Sequence, residues 1–151
     1  MNPALVRSLV TILEHKDIST AAHTWRVVLY TRALAEQFTH DHDFLRRLTF
    51  AAALHDVGKI EIPDIVLLKP GPLTDDEFAV IRQHPVLGWE RLRRFEEADP
   101  LVLNLVRHHH ERWDGGGYPD RLAGDDIPVA ARYFAVVDAF DAMTSLRPYR
   151  S

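Results

Sequence analysis

Histidines and acidic residues occur in this sequence where its helical pattern predicts a protein interior. The chain of 151 residues contains nine histidines and no cysteine. Imidazole or carboxylate side chains from five separate segments lie on otherwise apolar faces: His23, His55, Asp56, His84, His109, His110 and Asp138. A buried, unpaired carboxylate is costly, and few buried cations are predicted to neutralise this set. Because imidazole and carboxylate together suit Fe, Mn, Ni, Co or Zn, the pattern predicts a metal site.

The number of ligands favours two metal ions over one. A structural zinc ion takes about four ligands, whereas about six or seven suit two neighbouring ions that share a carboxylate. Two divalent ions roughly 3.5–4 Å apart can hold a bridging hydroxide and stabilise both oxygens of an in-line phosphoryl displacement. With Asp56 and Asp138 as anionic ligands, the site stays positive and attracts an anionic substrate, despite a formal net charge of −4 for the chain. The alternative is a purely structural network, in which each core histidine donates a hydrogen bond to a backbone carbonyl.

Composition argues against several other classes of protein. Without cysteine, the chain has no disulfide scaffold, zinc–thiolate finger, iron–sulfur cluster or cysteine nucleophile. A sequence pI near 6.1 and the lack of a basic stripe argue against binding to DNA or RNA duplexes. No apolar run approaches the ~18 residues of a membrane span, and the N-terminus does not resemble a signal peptide. A cytoplasmic protein without membrane association is therefore predicted.

The segments that carry these residues are predicted to be helical. Apolar residues at helical spacing predict helices over residues 3–14, 20–39, 43–55, 99–109 and 128–145. A capping box at Thr74–Glu77 starts another helix, which should break near Pro85 and resume to about Arg94. The second helix is apolar on two faces, including Trp25 and Leu29, which predicts a buried helix. Residues 59–73 and 111–127 read as loops, so the sequence predicts an all-α single domain.

Two longer motifs resemble those of a known family. His55-Asp56-Val57-Gly58-Lys59 resembles the HDxGK motif of the HD superfamily of metal-dependent phosphohydrolases. HHERWDGGGYP at 109–119 and VVDAFDAMTSLRPYR at 136–150 resemble the HD-GYP family, over about residues 17–150. The resemblance implies a single-domain helical bundle of the HD-domain type over residues 1–151, with about six or seven helices and a glycine-rich GYP loop. It also implies hydrolysis of cyclic di-GMP to linear pGpG, to GMP or to both.

The resemblance further implies roles for individual residues. The ligands that it implies for a first metal ion are His23, His55, Asp56 and Asp138. Those implied for a second ion, with Asp56 bridging, are His84, His109 and His110. Fe or Mn is expected first, with Ni, Co or Zn as alternatives. Asp56 and Lys59 are the expected catalytic residues, and the expected substrate contacts are Lys59, Tyr118, Arg147 and Arg150.

The sequence departs from the family pattern at three places. Ser19 stands where family members with a third metal ion carry glutamate, so two ions are expected. Leu146 replaces an aspartate that is common before RPYR. Family domains usually continue into further helices beyond the position of Ser151, and these helices are expected to be absent.

Two other functions remain as alternatives. One is a non-catalytic receptor for a cyclic dinucleotide or a signalling protein, although a receptor has no need of a hydrolytic metal pair. The other is the same chemistry on another nucleotide, because residue spacing does not distinguish guanine from adenine. Residue spacing also does not give the oligomeric state.

Three neighbouring carboxylates have expected supporting roles. Glu111 and Asp114 orient metal-bound histidines or brace the glycine loop, and Asp141 binds loop backbone.

Overall fold

The computed structural model describes residues 1–145, and for residues 19 and 20 the backbone alone. The α-helices are α1 (Pro3–Lys16), α2 (Ile18–Ala35), α3 (His42–Leu54), α4 (Asp64–Leu67), α5 (Asp75–Ile81), α6 (His84–Leu92), α7 (Pro100–His108) and α8 (Val129–Thr144). Two 3₁₀ helices follow α3 and precede α8, at Val57–Glu61 and Gly124–Asp126. Residues 1–145 contain no β-strand, which confirms the all-α prediction. None of the helices in this part of the chain has both the length and the apolar character of a membrane span.

Side-chain caps explain where several helices begin. The side chains of Asn2, Asp41 and Asp99 accept hydrogen bonds from the first backbone N–H groups of α1, α3 and α7. Thr74 and Glu77 form the predicted capping box at the start of α5. Each such cap stabilises its helix by about 1 kcal/mol. These caps are local in sequence, so the starts of these helices could be predicted without tertiary information.

The break predicted near Pro85 begins slightly earlier in the chain. Helix α5 ends at Ile81, and α6 begins at His84 with Pro85 in its first turn. Proline fits a first turn because its missing N–H would have no partner there. As a result His84 is the first residue of a helix, and its imidazole faces the end of α5.

The core forms where α2 and α7 pack against α3, and α8 packs against α2 and α7. Its fully buried side chains include Val27, Leu48, Leu54, Val106 and Phe134. The last residues of α3 and α7 approach one another across this core. The packing therefore brings the histidines that follow α3 and α7 close to the side chains of α2 and α8.

The prediction that α2 is buried on two faces is wrong. Val27 and Val28 are buried, but Trp25 and Leu29 are 53% and 65% exposed. The indole N–H of Trp25 donates to Glu14 at the surface, 2.9 Å away. The spacing of apolar residues shows which faces of a helix are apolar, but not which faces other helices cover. Among residues 1–145, no neighbouring element covers this second face of α2.

Gly58 of the HDxGK motif allows a close approach of two backbones. A Cβ atom at this position would lie 1.9 Å from the carbonyl oxygen of His84 and 2.5 Å from the backbone nitrogen of Gly88. The helix predicted over residues 43–55 ends at Leu54, four residues before Gly58. The glycine instead lets the 3₁₀ helix after α3 pack directly on α6, which sets the distance between Asp56 and His84.

Candidate metal centre

Two groups of ligand atoms converge inside the helical bundle. Within each group, every ligand atom lies within 4.8 Å of the others. The first group consists of His23, His55 and Asp56, and the second consists of Asp56, His84, His109 and His110. The Asp56 carboxylate belongs to both groups and so connects them. The structure thus brings together all the predicted ligands but one, from α2, α6 and the residues that follow α3 and α7.

The remaining predicted ligand, Asp138, lies beside the first group. Its Oδ1 is 3.5 Å from His23 Nε2, and its side chain is 30% exposed. It is therefore half-buried, whereas its alanine neighbours on α8 predicted a buried carboxylate. The fully buried carboxylate of α8 is Asp141, one turn further along the same face.

Backbone carbonyls fix the orientation of the three most deeply buried imidazoles. Nδ1 of His55, His84 and His109 lies 2.7, 2.8 and 2.9 Å from the carbonyl oxygens of Ala52, Ile81 and Val106. A carbonyl oxygen only accepts, so each Nδ1 carries the proton and donates. In a neutral imidazole with this tautomer, Nε2 has a free lone pair. These bonds are the ones that a structural network would use, but they account for only one nitrogen of each ring.

The other ring nitrogens face one another. Nε2 of His84 and Nε2 of His109 are 3.2 Å apart, and in the neutral tautomer with the proton on Nδ1 each of these atoms presents a lone pair to the other. Asp56 Oδ1 lies 3.1 Å from the first of these atoms and 3.9 Å from the second. Acceptors packed this closely in a buried site repel one another unless a cation lies among them. Imidazole nitrogen and carboxylate oxygen are the donors that transition-metal ions prefer, so these residues fit a divalent metal ion.

The protonation states of His109, His110 and Asp56 also suit metal binding. Burial and the neighbouring imidazoles lower the pKa of His109 well below its usual value, and burial with His84 lowers the pKa of His110 to about 3. Burial opposes ionisation of Asp56, but Lys59 and His55 outweigh it and hold the pKa of Asp56 well below its usual value. At neutral pH the two histidines are neutral and Asp56 is ionised, which are the forms that bind metal ions.

Lys59 provides a cation directly beside the shared carboxylate. Its Nζ lies 2.7 Å from Asp56 Oδ2, and the side chain is 19% exposed. Burial alone would favour the neutral amine, but the adjacent carboxylate raises the pKa of Lys59. The lysine therefore stays charged at the edge of the cluster.

A partly buried network on α2 and α8 holds His23. Asp141 Oδ2 lies 2.8 Å from His23 Nδ1, and the same carboxylate accepts hydrogen bonds from Arg26 at 2.6 and 3.1 Å. Ser145 donates a further bond to Asp141 at 3.0 Å. The Arg26 hydrogen bonds outweigh the effect of burial and hold the pKa of Asp141 far below its usual value. An ionised Asp141 accepts the Nδ1 proton of His23 and leaves Nε2 facing Asp138 and the cluster.

Sequence reasoning missed the role of Asp141, for which it predicted contacts with loop backbone. The available signal was the spacing of charges on two helices. Asp138 and Asp141 lie three residues apart on α8, and His23 and Arg26 lie three residues apart on α2. Each pair therefore shares a helix face, and the two faces have complementary chemistry.

The GYP loop forms one wall of the second ligand group. Glu111 is buried and accepts hydrogen bonds from the backbone of Asp120 and Leu122 at 2.7 and 3.0 Å. It therefore braces the loop, which is one of the two roles predicted for it. Tyr118 lies against the cluster, with its ring stacked on His110 at 4.8 Å between centroids. Arg147 and Arg150, two predicted substrate contacts, lie outside the described residues.

These features together define an all-α protein with a histidine–aspartate cluster that is able to bind metal ions. The family model described as HD domain matches residues 7–151. The chain therefore belongs to the HD domain family, and the resemblance recognised in the HDxGK motif is confirmed. Phosphohydrolases of this family bind divalent metal ions, and the two groups of ligand atoms are able to do so.

Several curated proteins are similar to nearly all of this chain. It is 45% identical over 146 residues to the cyclic di-GMP phosphodiesterase response regulator RpfG of Xanthomonas campestris, covering 94% of this chain and 38% of that protein. It is 44% identical over 139 residues to a cyclic di-GMP phosphodiesterase of Thermotoga maritima, covering 91% and 38%. A 3'3'-cGAMP-specific phosphodiesterase 2 of Vibrio cholerae is 41% identical over 147 residues, covering 97% and 28%. The chain spans two fifths or less of the length of these relatives.

A solved structure confirms the fold. Bd1817, an HDG"Y"P protein from Bdellovibrio bacteriovorus, aligns with a TM-score of 0.67 over 85% of this chain and 42% of its own. Sequence identity in this alignment is 22%, so the likeness concerns the arrangement of the helices.

Proposed function

We propose that this chain is the catalytic domain of a metal-dependent phosphodiesterase that hydrolyses cyclic di-GMP, and that residues 1–151 form one such domain. The observation that carries the proposal is the pair of histidine Nε2 atoms 3.2 Å apart, which face a carboxylate that two ligand groups share. Relatives that are 45% and 44% identical are named as cyclic di-GMP phosphodiesterases, which supports this substrate. Linear pGpG, GMP or both are the expected products.

The proposed centre holds two divalent transition-metal ions, with Fe or Mn expected before Ni, Co or Zn. The residues proposed to bind the first are His23, His55, Asp56 and Asp138. Those proposed for the second are Asp56, His84, His109 and His110. Such ions, when bound, activate water as a nucleophile and neutralise charge on the phosphodiester.

The surrounding residues give this centre its orientation and charge. Lys59 keeps a full positive charge beside Asp56, where it offsets the negative charge that develops on the phosphate oxygens during cleavage. Asp141 holds the His23 ring in the tautomer that directs Nε2 inward. Tyr118 stacks on His110 beside the second ligand group and is a proposed substrate contact.

Metal analysis and product analysis on one sample test the proposal. Protein purified without oxygen should contain about two divalent ions per chain and convert cyclic di-GMP to pGpG or GMP. Asp56→Ala should abolish turnover, because it removes the ligand that both groups share. Asp125→Ala is the matched control, since its side chain is 88% exposed and pairs only with Arg132 among residues 1–145. Tight binding of cyclic di-GMP without turnover, under Fe and Mn alike, would identify a receptor and contradict the proposal.

A second candidate substrate is 3'3'-cGAMP. The observation that favours it is the 41% identity with a relative named as specific for that dinucleotide. The metal chemistry would be the same, so a comparison of kcat/KM for the two dinucleotides decides between them. A kcat/KM that is more than about tenfold higher for one dinucleotide identifies it as the preferred substrate.

A further inference from the structure

Arg82 is an exposed cation that has aromatic partners but no acidic partner. Within residues 1–145 eight other arginines form ion pairs with carboxylates. Arg82 forms none with the residues that the structure describes. Its guanidinium carbon instead lies over the Tyr118 ring, 4.3 Å from the centroid, and 6.0 Å from that of Phe78.

This arrangement extends outward from the metal centre. The Tyr118 ring stacks on His110 with an interplanar angle of 19°. Arg82 lies on Tyr118, and His84, a ligand of the same group, follows Arg82 by two residues. The guanidinium therefore contacts the ring that stacks on a proposed ligand, and Arg82 is exposed whereas His110 is half-buried.

The contact with Tyr118 leaves the hydrogen-bond donors of Arg82 free. The five N–H groups of a guanidinium lie in its plane and point away from a ring that it covers. A cation–π contact therefore holds the side chain without using its donors, and reduces the ordering cost of a later ligand contact. A planar fork of donors suits phosphate, which it can bind through two parallel hydrogen bonds.

We propose that Arg82 binds the phosphate of the cyclic dinucleotide that is not being cleaved. The inference rests on the proposed function. A cyclic dinucleotide carries two negatively charged phosphodiesters, and the metal centre with Lys59 neutralises the one that is cleaved. The second lies one nucleoside away, where a further cation would neutralise it. Arg82 is charged, has no carboxylate partner among residues 1–145, and lies over the tyrosine that stacks on His110.

Substrates with and without a second phosphate test this assignment. The probes are cyclic di-GMP and bis(4-nitrophenyl) phosphate, with Mn-loaded protein. Arg82→Gln should raise KM for cyclic di-GMP about 10- to 50-fold, because it removes charge-assisted hydrogen bonds, and change kcat less than about threefold. Hydrolysis of bis(4-nitrophenyl) phosphate should not change. Arg82→Lys keeps the charge but not the planar fork, so its KM for cyclic di-GMP should lie between those of wild type and Arg82→Gln.

Arg93→Gln provides the matched control. Arg93 is also exposed, and its guanidinium lies over the Trp89 ring at 4.6 Å. It follows the last residue of α6, whereas His84 is the first residue of that helix. Its variant should leave both substrates unaffected. Equal losses on both substrates, a matching effect of Arg93→Gln, or an unchanged KM for cyclic di-GMP would overturn the assignment.

Calorimetric binding separates this inference from the proposed function. Arg82→Gln should weaken binding of cyclic di-GMP and cyclic di-AMP by the same factor, because the two share their phosphates. A loss of affinity confined to cyclic di-GMP would show that Arg82 contacts guanine, and would overturn the assignment of Arg82 to a phosphate. If wild-type protein binds cyclic di-GMP without cleaving it, the proposed function fails, and the inference stands only if Arg82→Gln still weakens binding about tenfold. Wild-type protein that neither binds nor cleaves it overturns both.

Discussion

Replacing Asp141 by asparagine tests whether α8 controls the tautomer of His23. The carboxylate accepts from His23 Nδ1 on Oδ2 and from Arg26 on both oxygens. An amide of the same shape has one oxygen and one NH₂ group, so one of the two oxygen positions no longer accepts a hydrogen bond. Arg26 should keep the oxygen, which leaves the amide NH₂ facing Nδ1 of His23. His23 then accepts at Nδ1 and carries its proton on Nε2, the atom that faces the cluster.

The expected loss has a metal-binding part and a stability part. Losing a group that orients a metal-binding histidine typically costs 10- to 100-fold in metal affinity, so one of two sites should weaken by about that factor. Hydrogen bonds to charged groups contribute about 1.5–3 kcal/mol each. Because the Arg26 side chain is 38% exposed and regains water, we expect a loss of about 2 kcal/mol in the free energy of unfolding. That corresponds to a Tm about 4–8 °C lower for a chain of this size.

Metal titration of the apo protein, followed by calorimetry or by the visible spectrum of Co(II), measures the affinities of both sites. Asp120→Asn is a matched control, because Asp120 also accepts from an arginine and a histidine: Arg107 at 2.7 and 2.8 Å and His108 at 2.9 Å. That variant should lower the stability but not the metal affinity. The reasoning is refuted if Asp141→Asn leaves both affinities within twofold of wild type, or if Asp120→Asn weakens metal binding equally.

Three further predictions concern stability. Hydrogen bonds from Arg47 outweigh the effect of burial and lower the pKa of Asp99. This pair therefore stabilises the fold fully above the unfolded pKa of about 3.9. The stabilisation is lost as pH falls through the lower pKa of the folded state. Urea unfolding between pH 6 and 2 should therefore show about 1 kcal/mol less acid-induced loss in Asp99→Asn than in wild type. Chelation of bound metal should lower the Tm in calorimetry by several degrees, since ligands from separate helices link metal binding to folding, and an unchanged Tm would contradict that link. Gly58→Ala should cost about 3 kcal/mol or more in chemical unfolding, because its Cβ would lie 1.9 Å from the His84 carbonyl oxygen, and a loss below 1 kcal/mol would show that the backbones separate easily.

The helices and most of the candidate ligands could be predicted from local sequence. Caps such as the Thr74–Glu77 box act within one helical turn, and apolar spacing marks the buried faces. His55 and His109 stood out because imidazoles continue apolar stripes of α3 and α7. The single-domain organisation and the ligand roles of all seven candidate residues remain predictions.

The features that could not be predicted depend on contacts between distant parts of the chain. Arg26 and Asp141 are 115 residues apart in sequence, and only the packing of α2 on α8 makes them partners. The exposure of Leu29 depends on which helices cover α2. The role of Gly58 likewise depends on the carbonyl of His84, which lies on a different helix. Side-chain type indicates what a residue can do, and tertiary packing decides with which partner.

The central claim is that imidazoles from separate helices and the Asp56 carboxylate surround metal ions. An anomalous-scattering map from crystals of the Mn(II)-loaded protein tests it most directly. Two peaks are expected, both within bonding distance of Asp56, one beside His55 and one between His84 and His109. A map without a peak among these side chains, from protein that still folds and diffracts, would contradict it.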